Sequence, residues 1–329
     1  MAFRVSPLYW PTVAATWPVL APFLLVKSRR FTENVTESRR RNSERLEKAR
    51  PMDLPELESL ELIVLGEQEK EPGFHGEPGV SYVLKSDKGA LLLDIGFGSD
   101  SGCVAFNADK LGFKLGDVDA VVISHLHVDH MGGMQAARQN KVMVPAELGD
   151  PGGMTCFLPD QSTAEGFDYK VVDSPQELAG GIFSTGPLAR AMFFMGLCEE
   201  QVLLARLKDK GLVIVTGCGH PTMEPIMRMV RKISEEPVYA IIGGLHMPLT
   251  KSRISKAGLQ FQMFMGTGKP PWQKITNIDL GKTIAVINNV TPKRVLVSAH
   301  DSCDKAIERM SREIEAEVDV LKAGAQYQI

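Results

Sequence analysis

Short apolar runs that end in polar or glycine residues recur along the chain and predict a sheet-rich domain. Runs of about four to eight apolar residues, rich in β-branched side chains, are typical of buried strands. Strands are expected at residues 60–65, 79–84, 90–94, 121–123, 211–216, 237–243 and 294–299. Apolar residues at helical spacing between 226 and 233 predict a helix, and an amphipathic segment from about 303 to 321 predicts another that covers a sheet.

Residues 5–26 carry no charge, and a helix of that length can cross a bilayer. Four prolines in this stretch would each disturb a helix, which leaves open an apolar arm that packs on the protein's own domain or on a partner. Basic residues outnumber acidic ones between 27 and 41, which would place the side that follows in the cytoplasm. We therefore predict a membrane anchor at 1–26, a charged linker or helix at 27–56, and a cytoplasmic catalytic domain at 57–329.

Composition narrows the class of protein. With 329 residues, of which 44% are hydrophobic, the chain can bury a sizeable core as one large domain or two small ones. A net charge of −3 disfavours a generic nucleic-acid-binding function. Five scattered cysteines without a paired motif indicate reduced thiols, which agrees with a cytoplasmic domain.

A dense group of metal-ligating residues follows the apolar run 121–123. It contains His125, His127, Asp129 and His130 and ends in two glycines. Buried together without a partner these polar groups would be costly, whereas imidazole nitrogen and carboxylate oxygen are good ligands for divalent metals. His125 and His127 share one face of an extended segment and can reach one ion, while Asp129 and His130 follow at a turn and point to a second position.

Three later strands each end close to a histidine. His220, His246 and His300 follow the runs 211–216, 237–243 and 294–299. Sites gather at strand ends in α/β proteins, so we expect these histidines to join the first group. Cys218 is either a further ligand or a small buried residue between two glycines.

The segment Ser-His-Leu-His-Val-Asp-His-Met-Gly-Gly at 124–133 resembles the signature of the metallo-β-lactamase superfamily. The resemblance runs from about 60 to about 314 and implies an α/β fold, a four-layer αββα sandwich, preceded here by the apolar N-terminal segment. It also implies a hydrolytic centre with one or two metals. Further motifs resemble the dihydropteroate-synthase-like subgroup, which includes ribofuranosyl-aminobenzene 5′-phosphate synthases; these lie at 181–187, 200–201, 216–221 and 243–246.

The resemblance also assigns expectations to individual residues. Asp94 matches an aspartate that orients a metal ligand from below, although an acid at a strand end also caps turns. No histidine lies between Met131 and Gly219, where many relatives supply a third ligand for the first metal. Either Glu147, Asp150 or Cys156 substitutes, or a later histidine does.

Three further features bear on the substrate and the chemistry. Asp301 stands where the subgroup has cysteine, and we expect an extra ligand or a proton shuttle there. His75 lies in a glycine-rich loop, and we expect a loop or substrate-facing role. Residues 251–280 form a basic insert after His246, a candidate lid or substrate-binding segment whose apolar residues could instead touch a membrane or pack a lobe.

The predicted function is that of a metal-dependent hydrolase, or hydrolase-like transferase, that uses metal-held hydroxide on a small anionic molecule. Asp129 would hold the second ion and orient the hydroxide. If the subgroup resemblance extends to function, the substrate belongs to pterin-type cofactor metabolism and carries phosphate. Zinc is the favoured ion, with iron or manganese as alternatives. Other readings are a membrane-associated lipid or phosphodiester hydrolase, a metal-binding regulatory protein without turnover, and an iron redox enzyme.

Overall fold

The computed structural model describes residues 9–256 and 259–329, with side chains from residue 15 to 255 and from 259 to the end. The helices of this part are α1 (Tyr9–Lys48), α2 (Cys103–Leu111), α3 (Met134–Gln139), α4 (Met223–Ile233), α5 (Asn277–Asn289) and α6 (Asp304–Glu313). The strands are β1 (Glu56–Leu57), β2 (Leu60–Gly66), β3 (Ser81–Ser86), β4 (Gly89–Leu93), β5 (Ala120–Val122), β6 (Lys141–Val142), β7 (Thr155–Leu158), β8 (Thr163–Ala164), β9 (Asp168–Val171), β10 (Gln176–Ala179), β11 (Ile182–Met192), β12 (Gly196–Leu207), β13 (Gly211–Thr216), β14 (Val238–Gly243), β15 (Ser255–Lys256), β16 (Leu259–Gln260), β17 (Arg294–Val297), β18 (Glu317–Val320) and β19 (Gln326–Gln328).

Two large sheets form the framework. The first has the order β19-β2-β3-β4-β5-β7-β9, and the second has β10-β11-β12-β13-β14-β17-β18 with β1 paired to β12. Each strand expected from the apolar runs is present, and its ends lie within two residues of the predicted ends. The strand pattern of the sequence therefore predicts the framework well.

Three buried clusters fill the spaces between four layers. Leu62, Tyr82, Leu203 and Val213 belong to the cluster shared by the two sheets. A second cluster joins the outer face of the second sheet to helices α4, α5 and α6, and a third joins the first sheet to α2 and α3. Each fully buried large apolar side chain contributes about 1.5–3 kcal/mol by leaving water. The predicted αββα sandwich is confirmed.

Strand register explains why ligand-bearing loops meet. In the second sheet β13, β14 and β17 run parallel, with Thr216 beside Gly243 and Gly243 beside Val297. In the first sheet β4 and β5 run parallel, with Leu93 beside Val122. The loops that follow these strands therefore leave each sheet at a common edge.

Helix α1 differs from the predicted anchor and linker. The start of the proposed anchor lies outside the described residues, and from Lys27 on the helix is strongly charged. Within residues 9–256 and 259–329, no helix has both the length and the apolar character needed to cross a membrane. The predicted transmembrane anchor is therefore unsupported.

The second half of α1 instead packs on the domain. The Asn42 side chain donates to the Ala189 carbonyl at 2.9 Å and accepts from the Ala189 N–H at 2.7 Å. Arg41 and Arg45 pair with the buried Glu199 on the neighbouring strand, at 2.8 and 2.5 Å. Leu46 is buried in the cluster that contains α4. This helix therefore supports the β11–β12 hairpin.

The C-terminal helix is shorter than predicted. It ends at Glu313, and residues 317–320 form strand β18, which pairs in parallel with β17. Val318 and Val320 alternate with Glu317 and Asp319, a period of two that favours a strand. All five cysteines are free and buried, as predicted for reduced thiols.

Candidate metal centre

The first group of ligands contains His125, His127 and His220, whose ligand atoms all lie within 4.8 Å of one another. His220 Nε2 lies 3.1 Å from His127 Nδ1. His125 Nε2 is buried and has no hydrogen-bond partner in the described part of the chain. The later histidine His220 thus completes the group that lacks a ligand from the middle of the chain, and Glu147, Asp150 and Cys156 belong to no such group.

The second group contains Asp129, His130, Cys218 and His300, all of them buried. Cys218 Sγ lies 3.2 Å from His130 Nε2 and 3.1 Å from His300 Nε2. Asp129 Oδ2 lies 3.7 Å from His130 Nε2. Imidazole, thiolate and carboxylate together suit zinc and related divalent ions.

Cys218 links this group to a third one, which also contains His220 and His246. Both ring nitrogens of His246 are buried without a hydrogen-bond partner among the described residues. Its backbone is left-handed, with φ at 48°, a conformation that costs free energy in a non-glycine residue. Orphaned buried nitrogens and backbone strain are typical of a functional site.

Specific acceptors hold the remaining nitrogens of these rings. His130 Nδ1 lies 2.7 Å from Asp94 Oδ2, and Asp94 also accepts the backbone N–H and the hydroxyl of Ser124, both at 2.6 Å. The Ser124 oxygen lies 2.9 Å from His125 Nδ1. Such contacts fix the ring orientation and leave Nε2 free for a cation.

Glu67 supports His300 in the same way. His300 Nδ1 lies 2.5 Å from Ser298 Oγ, and that hydroxyl donates to Glu67 at 2.5 Å. Tyr82 also donates to Glu67, at 2.7 Å. Sequence reasoning gave Glu67 no role, because the only signal was an acid directly after an apolar strand.

Glu200 supports the loop that carries Cys218 and His220. Its carboxylate accepts the backbone N–H groups of Cys218, Gly219 and His220 at 3.1, 2.8 and 2.7 Å. Glu200 is fully buried in β12. Sequence reasoning included it in a motif without a role, because its contacts to the later loop depend on the fold.

Burial controls the charge of the centre. It lowers the pKa of His127 to about 3 and that of His246 to about 4, and it depresses the pKa values of His125, His220 and His300 as well. These rings are therefore neutral near pH 7, the form that binds metals. Burial also lowers the pKa of His130, but the charges of Asp94 and Asp129 more than reverse this effect and raise it to about 9.

Of the remaining predicted residues, Asp301 lies beside the ligand groups and His75 does not belong to them. Asp301 Oδ2 accepts the His246 N–H at 2.9 Å and lies 3.8 Å from His300 Nε2, so it borders the centre. The His75 ring stacks on Phe106 at 3.8 Å and belongs to no ligand group of the described residues.

The predicted insert lies over the centre. The Gly266 carbonyl lies 3.1 Å from His220 Nδ1. A Cβ at Gly266 would lie 2.7 Å from His246 Cε1 and 3.0 Å from His220 Cε1. Only glycine therefore fits there, and the insert closes one side of the metal centre.

Comparisons with known proteins agree with this architecture. Residues 76–155 match the family model of the metallo-beta-lactamase superfamily. The 7,8-dihydropterin-6-methyl-4-(beta-D-ribofuranosyl)-aminobenzene-5′-phosphate synthase of Methanocaldococcus jannaschii is 23% identical over 236 residues, which are 60% of this chain and 80% of that protein.

Solved structures resemble the chain over most of its length. Tm1679, described as a metal-dependent hydrolase of the beta-lactamase superfamily, matches with a TM-score of 0.58 and 20% identity over 82% of this chain and 99% of that one. YhfI from Bacillus subtilis, a metallo-beta-lactamase fold protein, matches with a TM-score of 0.48 and 16% identity over 83% and 100%. The match over residues 76–155 shows a similarity to the metallo-beta-lactamase superfamily, and the likeness to Tm1679 shows a shared fold.

Proposed function

We propose that this protein is a metal-dependent hydrolase, or hydrolase-like transferase, that acts on a small anionic substrate. The observation that carries the proposal is a pair of ligand groups that Cys218, His220 and His246 link. His125 Nε2 and both His246 nitrogens have no hydrogen-bond partner in the part of the chain that the structure describes. Unpaired buried nitrogens cost free energy, and a bound cation would satisfy them. The donor set fits one or two divalent ions of the zinc type.

The proposed roles of the residues follow from their positions. His125, His127 and His220 would hold one ion, and Asp129, His130, Cys218 and His300 a second. His246 would reach a cation through the group that it forms with Cys218 and His220. When bound, such an ion supplies Lewis acidity and lowers the pKa of water. Asp129 would orient the attacking water through its carboxylate, and Asp301 would accept or deliver a proton at Oδ2.

The substrate class rests on two supports. The Methanocaldococcus jannaschii relative bears the name of a synthase whose product carries a 5′-phosphate, and the present chain covers most of that protein. A cavity of about 190 Å³ beside His220 and His246 is lined by Arg190, Lys269 and Lys282. We propose a small, phosphate-bearing molecule, in a pathway such as pterin-type cofactor metabolism.

Two measurements on the full-length protein test the proposal. Elemental analysis should find one or two equivalents of a divalent metal, and hydrolysis of bis(p-nitrophenyl) phosphate or p-nitrophenyl acetate should depend on it. Asp129→Asn should abolish turnover and preserve the fold. Tightly bound metal with no turnover on a broad panel of esters would refute the hydrolase and favour a regulatory metal protein.

A further inference from the structure

A cavity opens directly beside the metal centre. Its walls come from the His220 loop, the start of α4, helix α5 and the insert, and His220 and His246 line its inner end. The charged residues of its lining are Arg190, Glu224, Lys269, Asp279 and Lys282. The cavity is therefore polar and adjoins the ligands.

Arg190 is the half-buried cation of this cavity. It lies near the end of β11, and within the described residues its guanidinium forms no hydrogen bond or ion pair. Its guanidinium lies against Gly268 of the insert: a Cβ at Gly268 would lie only 2.5 Å from Arg190 Nη2. Burial lowers the pKa of Arg190, which means that its charge is poorly solvated. A partly desolvated cation without a direct counter-ion is poorly stabilised.

The other charges of the cavity do not neutralise Arg190. Lys269 Nζ lies 2.7 Å from Asp279 Oδ2, so these two charges cancel. Lys282 and Glu224 are exposed and opposite in sign. Asp279 therefore acts on Arg190 only from a distance, and no acid among the described residues contacts the guanidinium directly.

Arg190 and the metal centre are close enough to act on one molecule. Gly266 contacts His220 and His246, and Gly268, two residues later, contacts Arg190. Two residues of chain span at most about 7 Å. A small molecule can therefore place one end on Arg190 and the other at the metal centre.

The strand that carries Arg190 is held in place from behind. The preceding residue, Ala189, makes both of its backbone hydrogen bonds to the Asn42 side chain, as described above. Arg190 itself pairs with Cys198 across the hairpin that Glu199 ties to α1. The guanidinium is thus presented by a fixed element, which favours a binding site over a mobile surface charge.

We propose that Arg190 binds an oxyanion of the substrate, a phosphate or a carboxylate, while the reacting group lies at the metal centre. The proposal rests on the proposed function and adds a specificity-determining residue to it. The planar guanidinium fork matches two oxygens of either group. Gly268 allows the insert to cover this contact without a side chain.

Calorimetric titration of the metal-loaded, full-length protein with inorganic phosphate, and separately with acetate, tests the proposal. Arg190→Met should weaken the binding of one probe at least about tenfold, because a hydrogen bond to a charged group contributes about 1.5–3 kcal/mol. Arg190→Lys should give an intermediate value. Gly268→Ala, which displaces the guanidinium and leaves its charge, should weaken the same probe. Lys85→Met, which removes an exposed charge on β3, is the matched control and should change nothing.

The probes and the outcomes separate the possible results. A loss confined to phosphate identifies a phosphate group, and a loss confined to acetate identifies a carboxylate. Equal affinities of the wild type and Arg190→Met for both probes would place the anion on the metals alone and overturn the proposal. Dependence of binding on Arg190 without any ester turnover would refute the proposed function only, and turnover without that dependence would refute this inference only.

Discussion

Individual side chains decide which nitrogen each histidine offers to a cation. His130, His125, His300 and His220 use Nδ1 to contact Asp94, Ser124, Ser298 and the Gly266 carbonyl. Each of these rings therefore presents Nε2 to the centre. Partners of this kind set the ring orientation and the basicity of the ligand, so their loss should weaken metal binding without removing a ligand.

Asp94 offers the sharpest test of this idea. Three donors converge on its carboxylate, from the Ser124 N–H, the Ser124 hydroxyl and His130 Nδ1. Asp94→Asn supplies a single acceptor oxygen and adds two donors, so His130 and Ser124 must rearrange. We expect a 10- to 100-fold loss of metal affinity, on the order seen for such partners, in a chelator competition.

Asp119→Asn is the matched control for Asp94→Asn. Asp119 accepts the Ala90 N–H at 2.8 Å near the opposite end of β4, away from the ligands. Its loss should change the free energy of unfolding slightly and leave metal affinity unaltered. Equal metal affinities of the wild type and Asp94→Asn would remove Asp94 from the proposed support of His130.

At this scale the sequence reveals ligands better than their supports. His125, His127, Asp129 and His130 are adjacent in the chain, and their spacing alone predicts their convergence. Glu67 and Glu200 act through buried hydrogen bonds to groups that are distant in sequence, and no local pattern identifies an acid with such a role. His220 fills the position of the missing mid-chain ligand only because the two sheets face each other.

Among the elements, the insert of residues 251–280 contributes most to the site. Gly266 has φ at 79°, and its neighbours are the rings of His220 and His246. Gly266→Ala would bring a methyl group within 3.0 Å of both rings. We expect metal affinity and turnover to fall, since the rings or the insert must move.

Gly112→Ala is the control for Gly266→Ala. Gly112 has a similar φ of 70° with open space around it. Both variants should lose about 1–2 kcal/mol of unfolding free energy through left-handed strain. Only Gly266→Ala should alter metal affinity. If both variants change metal affinity by the same amount, the insert does not press on the His220 and His246 rings.

Helix α1 is the element that sequence reasoning placed wrongly. Residues 15–26 are apolar, and Trp17, Leu20 and Phe23 are exposed, which explains why hydropathy favoured an anchor. The charged half binds the domain through Asn42, Arg41 and Arg45, and such contacts are invisible to hydropathy. Likewise, the amphipathic pattern predicted that the last helix continues to residue 321, whereas residues 317–320 pair with β17 as strand β18.

Asn42→Ala tests the support that α1 gives to β11. The substitution leaves the Ala189 N–H and carbonyl without their partner, at a cost of about 1–3 kcal/mol. Chemical denaturation should report this loss, and the binding of the oxyanion to Arg190 should weaken with it. Ser43→Ala, an exposed neighbour with one long contact to Glu47, should change neither quantity.

For the molecule as a whole, buried charge matters as much as packing. The fold brings the ends of β13, β14 and β17 in one sheet against the ends of β4 and β5 in the other. Imidazoles and carboxylates therefore lie together in one buried site. Burial raises the pKa values of Glu67, Glu77 and Glu200 to about 7, and it lowers those of the candidate ligands His125, His127, His220, His246 and His300. The metal-free protein therefore holds protons that a cation would displace.

His130 predicts the direction in which the stability of the metal-free protein changes with pH. Its folded pKa is about 9, above the unfolded value of about 6.5, so between these values the folded state binds the extra proton. The free energy of unfolding of the metal-free protein should therefore fall as pH rises from about 7 to 9, by at most about 1.4 kcal/mol per pH unit for this one proton. Near pH 7 the histidines with lowered pKa values oppose this fall, because a fraction of them is still protonated in the unfolded state, and above about pH 8 they are neutral in both states and contribute nothing. Glu67, Glu77 and Glu200, whose folded pKa values are about 7, add to the fall near pH 7.

Denaturant titrations at pH 7, 8 and 9 measure this slope. The metal-loaded protein should show a flatter profile, because a cation on Nε2 requires the ring to be neutral already. Asp94→Asn should also flatten the slope in the metal-free protein, since it removes the charge of Asp94, which is the largest contribution that raises the pKa of His130. A metal-free protein whose stability stays level or rises across this range would contradict a protonated His130 and the acid pair that holds it.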